Sequence, residues 1–255
     1  MNVDGSIQEL KAYVETHSLT EDEKDLLKND HRKGVQRLYQ QYLKKEQKEQ
    51  QMIERFHAMR TMEMELWRSG KQYVVGVDEV GRGPLAGPVV AAAVVLPETF
   101  YLPSINDSKQ LSKAKREQFY QYIVSSAIDY QVSFVSPTEI DTINIYQATK
   151  KAMKTAILQL PVQPTYILTD AMELEGLPCP SEAIVKGDQK SISIAAASIV
   201  AKVTRDTYME ELHAKVPQYQ FAKNSGYGTK EHMDAIEQYG ISSYHRQSFL
   251  RKKNA

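Results

Sequence analysis

Apolar side chains in the first seventy residues fall in narrow stripes between polar positions. The members of these stripes recur at three- and four-residue steps: Val35, Leu38, Tyr39, Tyr42 and Leu43, and then Met52, Ile53, Phe56, Met59, Met62 and Leu66. This spacing is typical of helices that bury one face. Thr20 followed by Glu23 is a helix-capping pattern. We predict two short helices and then a long helix over residues 32–68, with a candidate break near residues 44–51.

From residue 71 onward the pattern changes to short, β-branched apolar runs that are bounded by glycine or proline. Such runs predict buried strands at residues 73–77, 89–96, 131–135, 165–169 and 182–186. Helical spacing predicts helices at residues 112–128, from residue 137 towards 160, and at residues 193–214. Strands that come first in a run and then alternate with helices predict an α/β fold, in which helices cover both faces of a mixed sheet. We therefore divide the chain into an all-helical N-terminal extension, residues 1–70, and an α/β domain with a helical C-terminal part, residues 71–255.

Composition narrows the class of protein. Of the 255 residues, 42% are apolar, which is enough for a substantial core. The 32 basic side chains equal the 32 acidic ones, which argues against a uniformly basic surface for nucleic acid but allows a local basic patch. The single cysteine, Cys179, excludes an internal disulfide and a cysteine-rich zinc site. We expect a cytoplasmic protein without a signal peptide or membrane segment, since the longest apolar run, residues 89–96, is far too short to span a bilayer.

Acidic residues follow three of the predicted strands. Asp78 and Glu79 come after the first strand, Asp170 after the fourth and Asp188 after the fifth. Ligands bind at this edge of open α/β sheets, and clustered carboxylates favour a hard divalent cation such as Mg²⁺ or Mn²⁺. Any one of these residues could simply cap a helix or face solvent in a turn. An acid at three strand ends together favours a metal site.

A glycine-rich segment directly follows the first pair of acids. It contains Gly81, Arg82, Gly83 and Gly87, with spacing G-x-G-x-x-x-G and a strand behind it. Dinucleotide and P-loop signatures require a different spacing and a helix at that place. Two compatible interpretations remain: a tight turn that needs glycine, or a bare backbone that approaches a ligand closely, with Arg82 facing a phosphate.

Several motifs lie outside what periodicity explains. In chain order they are GVDEVGRGPLAGPVV at 76–90, NDSKQL at 106–111, KGD at 186–188, SIAAASIVAKVTRD at 193–206, GYGT at 226–229 and HRQSF at 245–249. Together they resemble the type 2 ribonucleases H, specifically the bacterial ribonuclease HII family. The resemblance covers roughly residues 71–250 and leaves the first seventy residues without an assigned role.

The resemblance implies a ribonuclease H-like mixed sheet of five strands and a particular chemistry. It implies an endonuclease that cleaves the RNA strand of RNA–DNA hybrids and nicks DNA duplexes 5′ to embedded ribonucleotides, leaving 3′-hydroxyl and 5′-phosphate ends. It places the catalytic and metal-binding roles on Asp78, Glu79, Asp170 and Asp188, with two Mg²⁺ or Mn²⁺ ions when substrate is bound. It places substrate binding on Gly81, Arg82, Gly83, Lys109 and Tyr227. We expect a monomer that acts in ribonucleotide removal without an obligate protein partner or a membrane.

General chemistry supports that implication and leaves two alternatives. Two divalent ions can activate water and stabilise the leaving oxygen in phosphodiester hydrolysis, and a ribonucleotide is recognised by its 2′-hydroxyl. Without the resemblance, Tyr227 would be an ordinary half-buried tyrosine and Lys109 a solvated lysine. The alternatives are a catalytically silent nucleic-acid-binding module, and a different metal-dependent phosphatase or nuclease that would need neither the glycines nor Tyr227.

Overall fold

The computed structural model describes residues 5–105, 108 and 111–251. The chain divides into two compact units, residues 1–55 and residues 56–255. Within the described ranges, no helix is both long enough and apolar enough to cross a membrane.

The first unit is helical, as its stripes predict. It contains α1 (Ile7–Thr16), α2 (Glu21–Lys28) and most of α3 (Lys33–Met59). The predicted cap is present at α2, where the Thr20 side chain accepts from the Glu23 backbone N–H and the Glu23 carboxylate accepts from the Thr20 N–H. A small apolar core joins the helices: Leu10, Val14, Leu19, Leu27, Val35 and Leu38.

The predicted break near residues 44–51 was wrong. Helix α3 continues through that segment, which is rich in Lys, Glu and Gln, all good helix formers. One-turn contacts support it, such as the hydrogen bond of 2.9 Å from Gln50 Nε2 to Glu54 Oε1. The interruption comes instead at Arg60, after which α4 (Thr61–Arg68) begins.

The second unit is built on one mixed sheet of five strands. The strands are β1 (Val74–Val80), β2 (Val89–Val95), β3 (Asp129–Val135), β4 (Tyr166–Asp170) and β5 (Ser181–Ile184). Their order in the sheet is β3-β2-β1-β4-β5. Strands β1, β2 and β3 pair antiparallel, whereas β1, β4 and β5 pair parallel. This confirms the predicted mixed sheet and puts β1 at its centre.

Helices cover both faces of the sheet. On one face α5 (Lys113–Ser126) and α7 (Ile192–Lys215) form a core with β1 and β2, and Phe56, Met59 and Trp67 join that core. On the other face lies α6 (Pro137–Leu158), which begins after its cap, Ser136, and bends at Asn144, where φ is 66°. Three short helices complete the chain: α8 (Phe221–Asn224), α9 (Lys230–Tyr239) and α10 (Gln247–Arg251).

Gly76 shows how closely α7 packs on the centre of the sheet. A Cβ atom there would stand 2.0 Å from the Ser193 carbonyl carbon. The close approach brings the first turn of α7 directly over β1, two residues before Asp78.

Candidate active site

Strand β1 carries Asp78 and Glu79 near its end. Its antiparallel pairing with β2 continues through both residues, whereas its parallel pairing with β4 stops one residue before Asp78. The prediction that the two acids lie beyond the strand was wrong in this detail, because β2 extends the strand. Asp78 nevertheless stands just past the parallel pairs, where the next residue of β4 is Asp170. The sheet therefore brings these two carboxylates side by side.

A tight turn after β5 brings Gly187, the residue before Asp188, into contact with Asp170. Lys186 adopts a left-handed conformation, with φ of 57°, and a single 3₁₀ turn, Gly187–Gln189, follows. The Gly187 backbone N–H donates to Asp170 Oδ1 at 2.7 Å, and Asp188 is buried. A Cβ atom on Gly187 would stand 2.6 Å from the Ile194 side chain, so the turn needs glycine. We call Asp78, Glu79, Asp170 and Asp188 the carboxylate edge.

The negative charges of Glu79 and Asp170 repel that of Asp78. Burial raises the pKa of the Asp78 carboxyl well above its usual range, and the charges of Glu79 and Asp170 raise it further. Hydrogen bonds from Ser198 and from the Glu79 backbone N–H, the latter 2.7 Å long, act in the opposite direction and are weaker. Asp78 is only 6% exposed, so water cannot screen the repulsion.

The donor chemistry fits a divalent cation. All four donors are carboxylates, the hard oxygen ligands that Mg²⁺ and Mn²⁺ prefer. Among the described residues, no three His, Cys, Asp or Glu side chains are gathered closely enough to hold an ion as they stand. A cation held by these oxygens would relieve the repulsion on Asp78.

The glycine loop, residues 81–88, follows β1 directly. The first position of the loop requires glycine, because Gly81 has φ of 91° and a Cβ atom there would lie 2.3 Å from Arg205 Nε. Gly83 is different: it has no positive φ, and its Cβ would meet only Tyr227 Cε1, at 3.6 Å. Arg82 is half-exposed and its Nη1 lies 3.3 Å from Glu79 Oε1. The loop thus places Gly83 in the open and Arg82 next to the carboxylate edge.

The tyrosine turn, residues 224–229, lies against the glycine loop. The Asn224 side chain accepts from the Gly226 N–H at 2.8 Å, and the Gly226 carbonyl accepts from the Leu85 N–H at 2.8 Å. Tyr227 remains 49% exposed, with its ring beside Gly83. The structure therefore brings Gly81, Arg82, Gly83 and Tyr227 together. Lys109 lies outside the described residues.

Two buried histidines form a chain of hydrogen bonds that ends on the tyrosine turn. His232 Nδ1 lies 2.8 Å from the Tyr227 carbonyl oxygen, which can only accept, so Nδ1 carries the proton. His232 Nε2 must then accept from His245 Nε2, 3.1 Å away. The remaining nitrogen, His245 Nδ1, accepts from the Ser242 N–H at 3.0 Å. The contacts are satisfied when both rings are neutral.

Some residues around the site were not predicted. Glu63 of α4 is fully buried and accepts hydrogen bonds from the Ser191 hydroxyl and from the Ser193 N–H, at the start of α7. Its surrounding sequence gave no motif. Arg205 and Arg246 stand inside the family-like motifs, yet sequence reasoning assigned them no role. Both donate to carbonyl oxygens of the glycine loop.

Comparison with protein families shows to which family the chain belongs. The family model described as Ribonuclease HII matches residues 75–252, and the model described as Ribonuclease HII N-terminal domain matches residues 6–67. The chain belongs to the ribonuclease HII family. The second match assigns most of the first seventy residues to the family as well, which the motifs alone did not do.

Individual members of the ribonuclease HII family are similar over nearly the whole chain. The ribonuclease HII of Oceanobacillus iheyensis is 53% identical over 244 residues, covering 96% of this chain and 94% of that protein. The ribonuclease HII of Bacillus cereus strain Q1 is 53% identical over 250 residues, covering 98% and 97%. The crystal structure of the ribonuclease H2 from Pyrococcus horikoshii matches with a TM-score of 0.60 at 29% identity, covering 71% of this chain and 96% of that one.

Membership of the family fixes the general activity of this protein. It is a hydrolase of the ribonuclease H type, an endoribonuclease that cleaves RNA in RNA–DNA hybrids. The implied ribonuclease H-like fold is confirmed.

Proposed function

We propose that cleavage depends on Mg²⁺ or Mn²⁺, held by Asp78, Glu79, Asp170 and Asp188, with two ions present when substrate is bound. The observation that carries this proposal is the raised pKa of Asp78, which reports buried, mutually repelling carboxylates. A divalent cation offsets that repulsion. Bound there, the ions would supply an activated water and neutralise the leaving oxygen.

The proposed substrate includes DNA with single embedded ribonucleotides. The enzyme would nick the strand on the 5′ side of the ribonucleotide and leave 3′-hydroxyl and 5′-phosphate ends, as the first step of ribonucleotide removal. The open backbone around Gly83 supports this, since a sugar can approach it closely there and present its 2′-hydroxyl. The exposed ring of Tyr227 supports it too, because an aromatic face beside that backbone can stack on the neighbouring sugar or base.

Charged side chains complete the proposed substrate site. The half-exposed Arg82 guanidinium is suited to a backbone phosphate. Lys109 is proposed for a second phosphate contact on the motif alone. Glu79, which contacts Arg82 at 3.3 Å, links the phosphate-binding side chain to the carboxylate edge.

We also propose that the chain acts in the cytoplasm as a monomer without an obligate protein partner. The helical extension, residues 1–70, is proposed to help grip the duplex, while residues 71–255 carry the chemistry.

The decisive experiment uses a DNA duplex with one ribonucleotide, incubated with Mg²⁺, with Mn²⁺, or with EDTA. We expect one nick 5′ to the ribonucleotide with either metal and none with EDTA. An all-DNA duplex of the same sequence should stay intact. Cleavage of the all-DNA duplex would favour a general metal nuclease, and binding without a nick would favour a silent module.

A further inference from the structure

Two fully buried arginines lie beneath the glycine loop. Arg246 is 0% exposed and Arg205 is 1% exposed. Arginine is rarely buried to this extent unless it is paired. The hydrogen-bond partners of the two guanidinium groups therefore indicate their structural role.

Arg246 holds the beginning and the end of the glycine loop together. Its Nη2 donates to the Gly81 carbonyl at 2.6 Å, and its Nη1 donates to the Arg82 carbonyl at 2.9 Å. Its Nε donates to the Gly87 carbonyl at 3.0 Å. One planar guanidinium thus fixes the carbonyls on both sides of the loop, because its donors point in set directions.

Arg205 connects the same loop to the tyrosine turn. Its Nε donates to the Pro88 carbonyl at 2.9 Å and its Nη2 to the Ala86 carbonyl at 3.2 Å. Its Nη1 donates to the Ser225 carbonyl at 3.0 Å, two residues before Tyr227. Arg205 therefore joins the loop to the turn, together with the bond from the Leu85 N–H to the Gly226 carbonyl.

Neither arginine forms an ion pair with any residue that the structure describes. Burial lowers the pKa of Arg205 to about 10 and that of Arg246 to about 9, so both remain cationic at neutral pH. Asp206 and Asp141 favour the two charges from a distance, but the groups that contact the guanidinium donors are carbonyl oxygens, so the charges are costly to bury. Such an arrangement persists where it fixes a particular backbone conformation.

We propose that Arg205 and Arg246 are positioning residues which fix the glycine loop and the tyrosine turn in one geometry before substrate binds, and so set the preference for a 2′-hydroxyl. This inference rests on the proposed reading of the ribonucleotide by residues 81–83. It adds that the selectivity depends on two side chains that do not contact the substrate.

The test compares Arg246→Lys with the parent enzyme. Lysine keeps the positive charge but has one nitrogen, which cannot reach the carbonyls of Gly81, Arg82 and Gly87 at once. Cleavage rates are measured on two DNA duplexes, one with a single ribonucleotide and one with a 2′-deoxy-2′-fluoro nucleotide at the same position. The ratio of the two rates reports recognition of the 2′-hydroxyl, and any unfolded fraction cancels from it.

We expect the ratio to fall about tenfold to a hundredfold in Arg246→Lys, the size expected for one lost hydrogen bond at a buried polar site. Arg205→Lys should lower it by a smaller factor. The matched control is Arg60→Lys, since Arg60 also donates to a carbonyl, that of Glu98, but lies outside the loop. Equal loss on both substrates would show a merely structural role and overturn the proposal. A parent enzyme that fails to nick the ribonucleotide duplex would instead contradict the proposed function.

Amide hydrogen exchange of the parent enzyme tests the same inference without a variant. The N–H groups of Leu85 and Gly87 donate to the carbonyls of Gly226 and Tyr244, both at 2.8 Å. If the loop is fixed in advance, these two amides exchange slowly in the free enzyme, and adding an uncleaved hybrid duplex in EDTA changes them little. Fast exchange that slows only with the duplex would show that substrate forms the loop, and would overturn the proposal.

Discussion

The carboxylate edge and the glycine loop adjoin each other, yet they are stabilised in opposite ways. At the edge, burial and the charges of Glu79 and Asp170 raise the pKa of Asp78. In the loop, the carbonyls of Gly81, Arg82, Ala86, Gly87 and Pro88 accept hydrogen bonds from Arg205 and Arg246, which lie beneath it. At the edge, the Arg82 guanidinium, 3.3 Å from Glu79, offsets part of the negative charge, whereas in the loop five carbonyls accept from buried cationic side chains.

In the proposed function, the carboxylate edge carries the chemistry and the glycine loop carries the recognition of the sugar. In the proposed mechanism, ions bound at the edge would relieve the repulsion on Asp78, and this relief would favour their binding. A rigid backbone cannot adjust to a sugar without the 2′-hydroxyl, and this inability favours selectivity. The contrast predicts that changes at the edge alter turnover but not the choice of substrate, and that changes in the loop do the reverse.

The largest effect is expected for Asp170→Asn. Asparagine keeps the oxygen that accepts from the Gly187 N–H at 2.7 Å, so the turn should persist, but the metal-binding charge is lost. Cleavage should fall by a factor of about a thousand or more, while the melting temperature without metal stays level or rises as repulsion on Asp78 eases. Cleavage rates with metal, and melting temperatures in EDTA, check this.

The control is Asp129→Asn, because the Asp129 carboxylate also accepts from a backbone N–H, that of Tyr130. Near-normal cleavage by Asp170→Asn would remove this residue from the site.

Tyr227 should come next. The Tyr227→Ala variant loses the exposed ring that stands beside Gly83, and kcat/KM for a single-ribonucleotide duplex should fall about tenfold to a hundredfold. Tyr227→Phe keeps the face of the ring and should lose only a few-fold, the cost of the hydroxyl. Mn²⁺ affinity, measured by titration calorimetry, should match the parent in both variants. Equal losses in Phe and Ala would place the whole effect on the hydroxyl rather than on stacking.

A third prediction uses the openness of Gly83. Since its φ is not positive and a Cβ atom would meet only the Tyr227 ring at 3.6 Å, Gly83→Ala should fold as the parent does. The tight-turn interpretation of the loop therefore does not require glycine at residue 83. The added methyl should still obstruct a sugar and lower kcat/KM about tenfold. Gly87→Ala is the contrasting variant, because its φ of 83° and a 2.5 Å approach to Met209 Sδ predict a lower melting temperature. If Gly83→Ala cleaves as well as the parent, the backbone does not approach the sugar there.

Sequence reasoning reached the carboxylate edge and not the supports of the loop, for a physical reason. Acids at strand ends are a local pattern, so Asp170 and Asp188 could be predicted from their neighbours. The end of β1 could not, because it depends on pairing with β2. Arg246 bonds a carbonyl 165 positions away, and Arg205 bonds one 119 positions away. An arginine whose partners are distant carbonyls leaves no pattern of charge or spacing in the sequence around it.

The smallest effect is expected from acid, which tests the supports of the tyrosine turn. Burial and the neighbouring His232 lower the pKa of His245 to about 4, and the ordinary value is 6.5. Between those values the unfolded chain takes up a proton at this position that the folded chain does not. Because of His245, the free energy of unfolding decreases as pH falls from about 6.5 to 4, by about 2 kcal/mol at pH 5 relative to pH 7.

Urea unfolding at several pH values checks this, with His245→Asn as the variant and His57→Asn, at an exposed position of α3, as the control. The parent and the control should lose more stability towards pH 5 than His245→Asn does. An identical pH dependence in all three would show that the His245 ring is protonated as easily in the folded enzyme as in the unfolded chain, and that the pair does not hold the Tyr227 carbonyl as a neutral unit.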